Sequence, residues 1–231
     1  NYCRIHDKVK GIETFAEVWD SDYHFFIYIE KCYLEKKDGI IIKVRQKGYS
    51  TQFMAIEIRM LWFMEKTHMK VLAYDEAYVK ADWLLLEDFR NHLNMHTPWY
   101  RNFNPDENLN WVQRVEITEG ILEKKKVFRG LKSRIVGATF NKNVTKAIGG
   151  SANIIFVEEP GRAPNMAKVK GYVDSNLKMG GVKTGWLFIS GSIGELKDSE
   201  DFQKYCMDPE SNGFLGVDDV FSEKRIENKV A

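Results

Sequence analysis

The stretch Gly39-Ile-Ile-Ile-Lys-Val-Arg-Gln-Lys-Gly-Tyr-Ser-Thr51 constrains the fold of this chain more than any other. Ile40 to Val44 is nearly unbroken in β-branched residues, the mark of a strand buried on both faces. A cationic loop with Gly48 follows. Ser50 then opens a long apolar segment, Gln52 to Met64, in which Phe53, Ile56, Met60, Leu61, Phe63 and Met64 recur at helical spacing. Strand, glycine loop and helix N-terminus, in that order, is the layout of a phosphate-binding loop, where backbone N–H groups and the helix dipole face an anion. The standard form G-x-x-x-x-G-K-[ST] is not present. Lys43 stands where the first glycine belongs and Tyr49 where the lysine belongs, leaving Gly48 and Ser50.

The rest of the chain repeats the strand-then-helix rhythm. Residues 22–34 fit a helix, with Phe25, Phe26 and Tyr28 either packing on a sheet or offering an aromatic platform to a base. Met69 to Tyr74 reads as a strand, and Tyr78 to Leu93 as a helix carrying Trp83, Leu84, Leu86, Phe89 and Leu93 near one face. Trp99 to Leu109 is loop-like. Trp111 to Gly130 holds two strand-like runs around Gly120 and the basic run Lys124 to Lys126. Ser133 to Thr139, Asn153 to Val157 and Thr184 to Ser190 are further strands, with a helix over Met166 to Leu177. This alternation argues an α/β fold with a mainly parallel central sheet flanked by helices.

Bulk properties exclude several classes. A formal net charge of +1 over 231 residues gives no global basic field, so a nucleic-acid contact must come from local patches. The three cysteines, Cys3, Cys32 and Cys206, are odd in number and far apart, which argues against a disulfide framework or zinc knuckle and for a reducing compartment. No apolar run approaches the roughly 18 residues of a membrane span, and no secretory leader pattern opens the chain. The start at Asn1 and the charged end suggest a piece of a longer protein. His92 and His96 lie at i, i+4, but Pro98 follows and no third ligand is evident, so a metal centre is not expected there.

Two downstream features give the opening stretch its weight. Ile154-Ile-Phe-Val-Glu-Glu159 is an apolar strand ending in paired carboxylates. In phosphate-loop ATPases such a strand ends beside the loop, where one acid organises Mg²⁺ and a second polarises the attacking water. Leu187-Phe-Ile-Ser-Gly-Ser192 is a buried strand delivering two hydroxyls at its carboxyl end, where ligand sites gather in open α/β sheets. Alone, each also suits a strand that simply meets solvent.

Taken together, these residues resemble the ATPase half of the large terminase subunit of tailed phages, the DNA-packaging motor. Lys43, Arg45, Gly48, Tyr49 and Ser50 are similar to a deviant Walker A loop in which the lysine moves to the front. Ile154 to Glu159 looks like the Walker B motif and Ser190-Gly191-Ser192 like the coupling motif. Glu159-Pro-Gly-Arg-Ala-Pro-Asn165 is similar to a stretch associated with large-genome gut (crAss-like) phages. The likeness covers Gly39 to Ser192. Glu158 departs from it, because Asp is usual there.

The resemblance implies a P-loop NTPase three-layer sandwich in a single domain over 1–231: a lead-in over 1–38, the ATPase core over 39–195, and an extension over 196–231 toward a nuclease domain absent from this chain. It implies ATP and Mg²⁺ as cofactors. Lys43 would meet the phosphates, with Arg45 and Lys47 as substitutes, and the nucleotide would be cradled by Arg45, Gln46, Lys47, Gly48, Tyr49, Ser50 and Thr51 and sensed by Ser190, Gly191 and Ser192. Ser50 and Glu158 would serve the metal, Glu159 would position or deprotonate water, and Arg162 would complete the site, with Arg101 and Arg134 as other candidates. Double-stranded DNA would be held by its phosphates without regard to sequence, along Lys124 to Lys126 or along Lys168, Lys170 and Lys178. A homo-oligomeric ring on a portal protein, a small terminase subunit and the host cytoplasm complete the expectation. Asp218-Asp219 is read as a linker feature rather than a nuclease pair. A helicase-like motor and a catalytically degenerate adapter in a capsid are the alternatives.

Overall fold

The computed structural model describes residues 4–7, 11–15, 17–43, 48–101, 104–106, 110–112, 115–119, 125–141, 149–193 and 199–217. A hairpin of β1 (Arg4–Asp7) and β2 (Ile12–Phe15) leads into helix α1 (Asp20–Glu35) and strand β3 (Gly39–Ile42). Then come α2 (Tyr49–Phe63), β4 (His68–Ala73), α3 (Glu76–His96), β5 (Asn104–Asp106) and β6 (Asn110–Val112). β7 (Val115–Glu119) and β8 (Lys125–Arg129) form a separate antiparallel hairpin. β9 (Arg134–Thr139), β10 (Ile154–Glu158), α4 (Met166–Asn176), the small hairpin β11 (Lys178–Met179) and β12 (Val182–Lys183), β13 (Trp186–Gly191) and α5 (Glu200–Met207) complete the order.

The main sheet runs β3-β13-β10-β4-β9-β6-β5. Its first five strands are mutually parallel. β6 and β5 add an antiparallel edge, and β5 falls within the stretch whose sequence reads as loop: three residues are too few to show a period.

Side chains along the parallel strands alternate between two cores. Ile41, Met69, Val71, Ala73, Phe156 and Phe188 face α1, α2 and α3. Ile40, Leu72, Ile155, Val157, Leu187 and Ile189 face α4 and α5. Both faces are covered, which is why these strands read as continuous apolar runs. The result is the three-layer α/β sandwich expected from the sequence. α1 is a packing helix through Phe25, Tyr28 and Cys32, while Tyr23 and Phe26 are exposed. The segment after β13 folds back onto the sheet. Phe214 joins the second core, the Leu215 N–H donates to the Asp38 carbonyl at 2.8 Å, and the Tyr28 hydroxyl donates to the Leu215 carbonyl at 2.8 Å.

β13 inserts between β3 and β10 and pairs with both, although β3 is far from it in sequence. The carboxyl ends of the glycine-loop strand, the hydroxyl strand and the acid strand therefore stand side by side.

Candidate functional site

Lys43 leaves the end of β3 with its N–H fixed to the Gly191 carbonyl at 2.9 Å. From that anchor its ammonium crosses to the acids. It bonds Glu158 Oε1 directly, lies 3.3 Å from Glu159 Oε1 and donates to Ser50 Oγ at 3.1 Å. Ser50 in turn donates to Glu158 Oε1 at 2.7 Å. The geometry thus unites the lysine at the loop entry, the hydroxyl at the loop exit and both carboxylates of the acid strand.

Local backbone chemistry sets each position. Gly48 caps α2 at φ +77°, a left-handed conformation that suits glycine, and Ser50 follows inside the first turn. Glu158 closes β10 opposite Ser190 in register. Glu159 then leaves the strand at φ 49°, ψ 53°, a left-handed geometry costing about 1–2 kcal/mol for a side chain with a Cβ. Pro160–Arg162 forms a single 3₁₀ turn after it, and the Glu159 N–H is held by the Ser190 carbonyl at 2.9 Å. The strain turns the Glu159 carboxylate toward Ser192, whose N–H and Oγ both donate to its Oε2, at 3.1 and 2.9 Å. Gly191 permits this approach. A Cβ there would lie 2.5 Å from Pro160 Cδ and 3.0 Å from Glu159 Cα.

The electrostatics follow from burial. Burial opposes the charge on Lys43, yet Glu158 and then Glu159 outweigh it and hold its pKa above the ordinary value. Glu158 is pushed up by burial, an effect that Lys43 and Ser50 oppose. Glu158 Oε2 and Ser190 Oγ are buried without a hydrogen-bond partner, a costly condition in a finished interior. Ser50 and Glu158 offer hard oxygens of the kind that suit a small dication such as Mg²⁺, and Glu158 Oε2 is the one with unused capacity.

Two acids that sequence reasoning missed lie behind this cluster. Glu57 on α2 and Asp82 on α3 are fully or almost fully buried. Both Glu57 oxygens and Asp82 Oδ2 lack a hydrogen-bond partner. Burial, reinforced by Asp82, keeps the Glu57 carboxyl well above its ordinary range. Burial, reinforced by Glu158, does the same for Asp82. The signal was present: each acid occupies a position on the apolar face of its helix, beside Ile58 and Trp83.

The remaining expected residues fall elsewhere or outside the description. Tyr49 turns away from the acids and stacks on Phe25 of α1, ring centroids 5.5 Å apart. Thr51 lies in the first turn of α2. Arg45, Gln46 and Lys47 lie outside the described residues, as do Lys124 and Asp218-Asp219. Arg162 is exposed, its guanidinium over the Tyr78 ring at 5.8 Å. Arg134 opens β9 and therefore stands at the opposite end of the sheet from the acids. Arg101 lies beyond the C-terminus of α3, its N–H held by Asn94 Oδ1 at 2.9 Å. Lys170 is paired with Asp174 at 2.9 Å, while Lys168 and Lys178 are exposed. His92 and His96 stack at 5.1 Å, and among the described residues no cluster of His, Cys, Asp and Glu is arranged to hold a metal. No described helix is long and apolar enough to cross a membrane.

No family model matches the chain, and no curated protein matches it. Solved structures do. The Thermus phage P74-26 large terminase ATPase domain aligns over 93% of this chain and 81% of its own, at 10% identity and a TM-score of 0.60. The HK97 bacteriophage large terminase aligns over 90% of this chain at 11% identity and a TM-score of 0.59; the match spans 41% of that protein. The large terminase of another thermophilic bacteriophage aligns over 79% of this chain and 39% of its own, at 8% identity and a TM-score of 0.50. At such identities the likeness is one of fold: this chain folds like the ATPase domains of phage large terminases.

Proposed function

We propose that this chain is the ATP-hydrolysing motor domain of a viral large terminase, which drives double-stranded DNA into a procapsid. The observation that carries the reading is the convergence of Lys43, Ser50, Glu158, Glu159 and Ser192 at the carboxyl ends of three adjacent parallel strands. That edge is where open α/β sheets bind ligands. The fold shared with terminase ATPase domains supports the same reading.

In this reading the loop is of the deviant Walker A type. Lys43 meets the phosphate oxygens from the loop entry, because a loop that curls around phosphates brings its two ends together. The N–H groups of Gly48, Tyr49, Ser50 and Thr51, at the start of α2, add the helix-terminal charge. Ser50 and Glu158 would hold Mg²⁺, which would supply positive charge against that building on the phosphates. Glu159, aimed by Ser192, orients the attacking water and accepts its proton. Arg45, Gln46 and Lys47 line the loop, Ser190 and Gly191 carry the sensing strand, and Arg162 or a neighbouring subunit's arginine completes the site. Residues 39–195 carry the site's motifs, with 1–38 leading in and 196–231 as a C-terminal extension, of which residues 199–217 pack back onto the sheet. The partners are duplex DNA, a portal, a small terminase subunit and further copies of this chain in a ring, in the host cytoplasm; the Glu159 to Asn165 stretch favours a gut-phage source.

The test is ATP turnover by the protein and by Glu159→Gln, with DNA present. The proposal expects the variant to bind nucleotide with turnover lowered about a hundredfold or more, the scale of lost general-base catalysis. Absence of both binding and turnover in the parent protein, even with DNA and its full-length form supplied, would end it.

A further inference from the structure

We infer that the Lys43 ammonium and the divalent cation share one seat, so that this protein takes its cation only together with nucleotide phosphates. The inference rests on the nucleotide-site reading above and specifies the order of occupancy there: the cation enters with or after the nucleotide, never before it.

Three oxygens define the seat. Ser50 Oγ, Glu158 Oε1 and Glu159 Oε1 all surround Lys43 Nζ. The first two are the donors a hard dication would use, and both are already engaged by the ammonium. The surroundings are dry. The Lys43, Glu158 and Glu159 side chains are 10%, 6% and 13% exposed, so water does little to screen two cations brought to the same oxygens. A free dication arriving alone therefore meets a filled seat and a like charge.

Nucleotide changes the balance because it offers Lys43 an alternative partner. The Lys43 backbone is fixed by its bond to the Gly191 carbonyl, but its flexible stem remains free to turn. Swinging the ammonium from the acids to phosphate oxygens exposes Ser50 Oγ and Glu158 Oε1. It also leaves Glu158 and Glu159 without their counter-ion, which makes a cation at that moment favourable. Glu158 Oε2, buried and without a hydrogen-bond partner, is a second oxygen held ready for it.

The experiment uses Mn²⁺ as the probe and reads bound metal by electron paramagnetic resonance. The full chain without nucleotide should bind Mn²⁺ at least tenfold more weakly than Lys43→Met does. Adding Glu158→Gln to Lys43→Met should remove the gain. Circular dichroism checks the fold, and Lys43→Gln serves in place of Lys43→Met if that variant does not fold. Equal Mn²⁺ affinity in the parent and the Lys43 variant overturns the shared seat, whether both bind or neither does. A gain that survives Glu158→Gln overturns it as well. A final arm adds ATP to the parent, where Mn²⁺ binding should rise at least tenfold. If the Lys43 variants behave as stated but ATP has no effect, the nucleotide reading fails while the exclusion of free metal by Lys43 stands.

Discussion

Ser192→Ala isolates the contact that aims Glu159. Two donors hold Glu159 Oε2: the Ser192 N–H at 3.1 Å and Oγ at 2.9 Å. The substitution removes the hydroxyl and keeps the N–H. A hydrogen bond to a charged group is worth about 1.5–3 kcal/mol, and the retained N–H places the loss near the lower figure. A barrier raised by about 1.4 kcal/mol slows a reaction roughly tenfold. Steady-state phosphate release should therefore show kcat lowered about tenfold. KM for ATP should stay within about twofold, because the proposed site gives the phosphates to Lys43 and Ser50, not to Ser192. The thermal unfolding midpoint should fall by no more than about 3–6 °C, the shift that about 1.5 kcal/mol produces in a chain of this length. A kcat within a factor of two of the parent would refute the reasoning: Glu159 would then owe its position to Lys43 and its own backbone alone. A large rise in KM with unchanged kcat would refute it too, by making Ser192 a binding group.

Three further outcomes follow from the same geometry. Glu57→Met should stabilise the protein at pH 8 by about 1–3 kcal/mol, the cost of a buried polar group without partners. Burial raises the Glu57 pKa above its ordinary value of 4.5, so the native state keeps a proton that the unfolded chain releases. Parent stability therefore falls as pH rises above that value, and the variant should lose that part of the slope in urea titrations. A less stable variant at pH 8 contradicts this. Tyr49→Ala should lower the melting temperature by several degrees through its lost stack on Phe25, while nucleotide affinity changes by less than about threefold; a tenfold loss of affinity would put Tyr49 at the phosphates. Lys43→Ala should weaken nucleotide binding at least tenfold more than Lys47→Ala in fluorescent-nucleotide titrations, and equal losses would remove Lys43 from its role.

Much of the fold was legible because burial on both faces writes itself into sequence. Ile154 to Val157 and Leu187 to Ile189 show no polar alternation, and the strands formed there. The long helices α2 and α3 were visible from their spacing, with ends displaced by a few residues where capping rather than period decides. What the sequence did not reveal is neighbourhood. Nothing in the order of the strands says that β13 slips between β3 and β10, and that insertion is what lets Ser192 reach Glu159 and Gly191 hold Lys43. Glu57 and Asp82 were passed over because a single acid within an apolar stripe is easily taken for a solvent-facing residue. The small hairpin of β11 and β12 and the short strands β5 and β6 carry too few side chains to show a period. The glycine loop was the reverse case: its letters were irregular, yet Lys43 and Ser50, which flank it in sequence, are in contact.

The most direct measurement is a crystal structure of the protein with Mg²⁺ and a non-hydrolysable ATP analogue. The account predicts the triphosphate at the N-terminus of α2, Lys43 Nζ within hydrogen-bond distance of its β- or γ-phosphate oxygens and no longer bonded to Glu158, and Mg²⁺ beside Ser50 and Glu158. Phosphates bound elsewhere, or bound here with Lys43 still locked between Glu158 and Glu159, would contradict it.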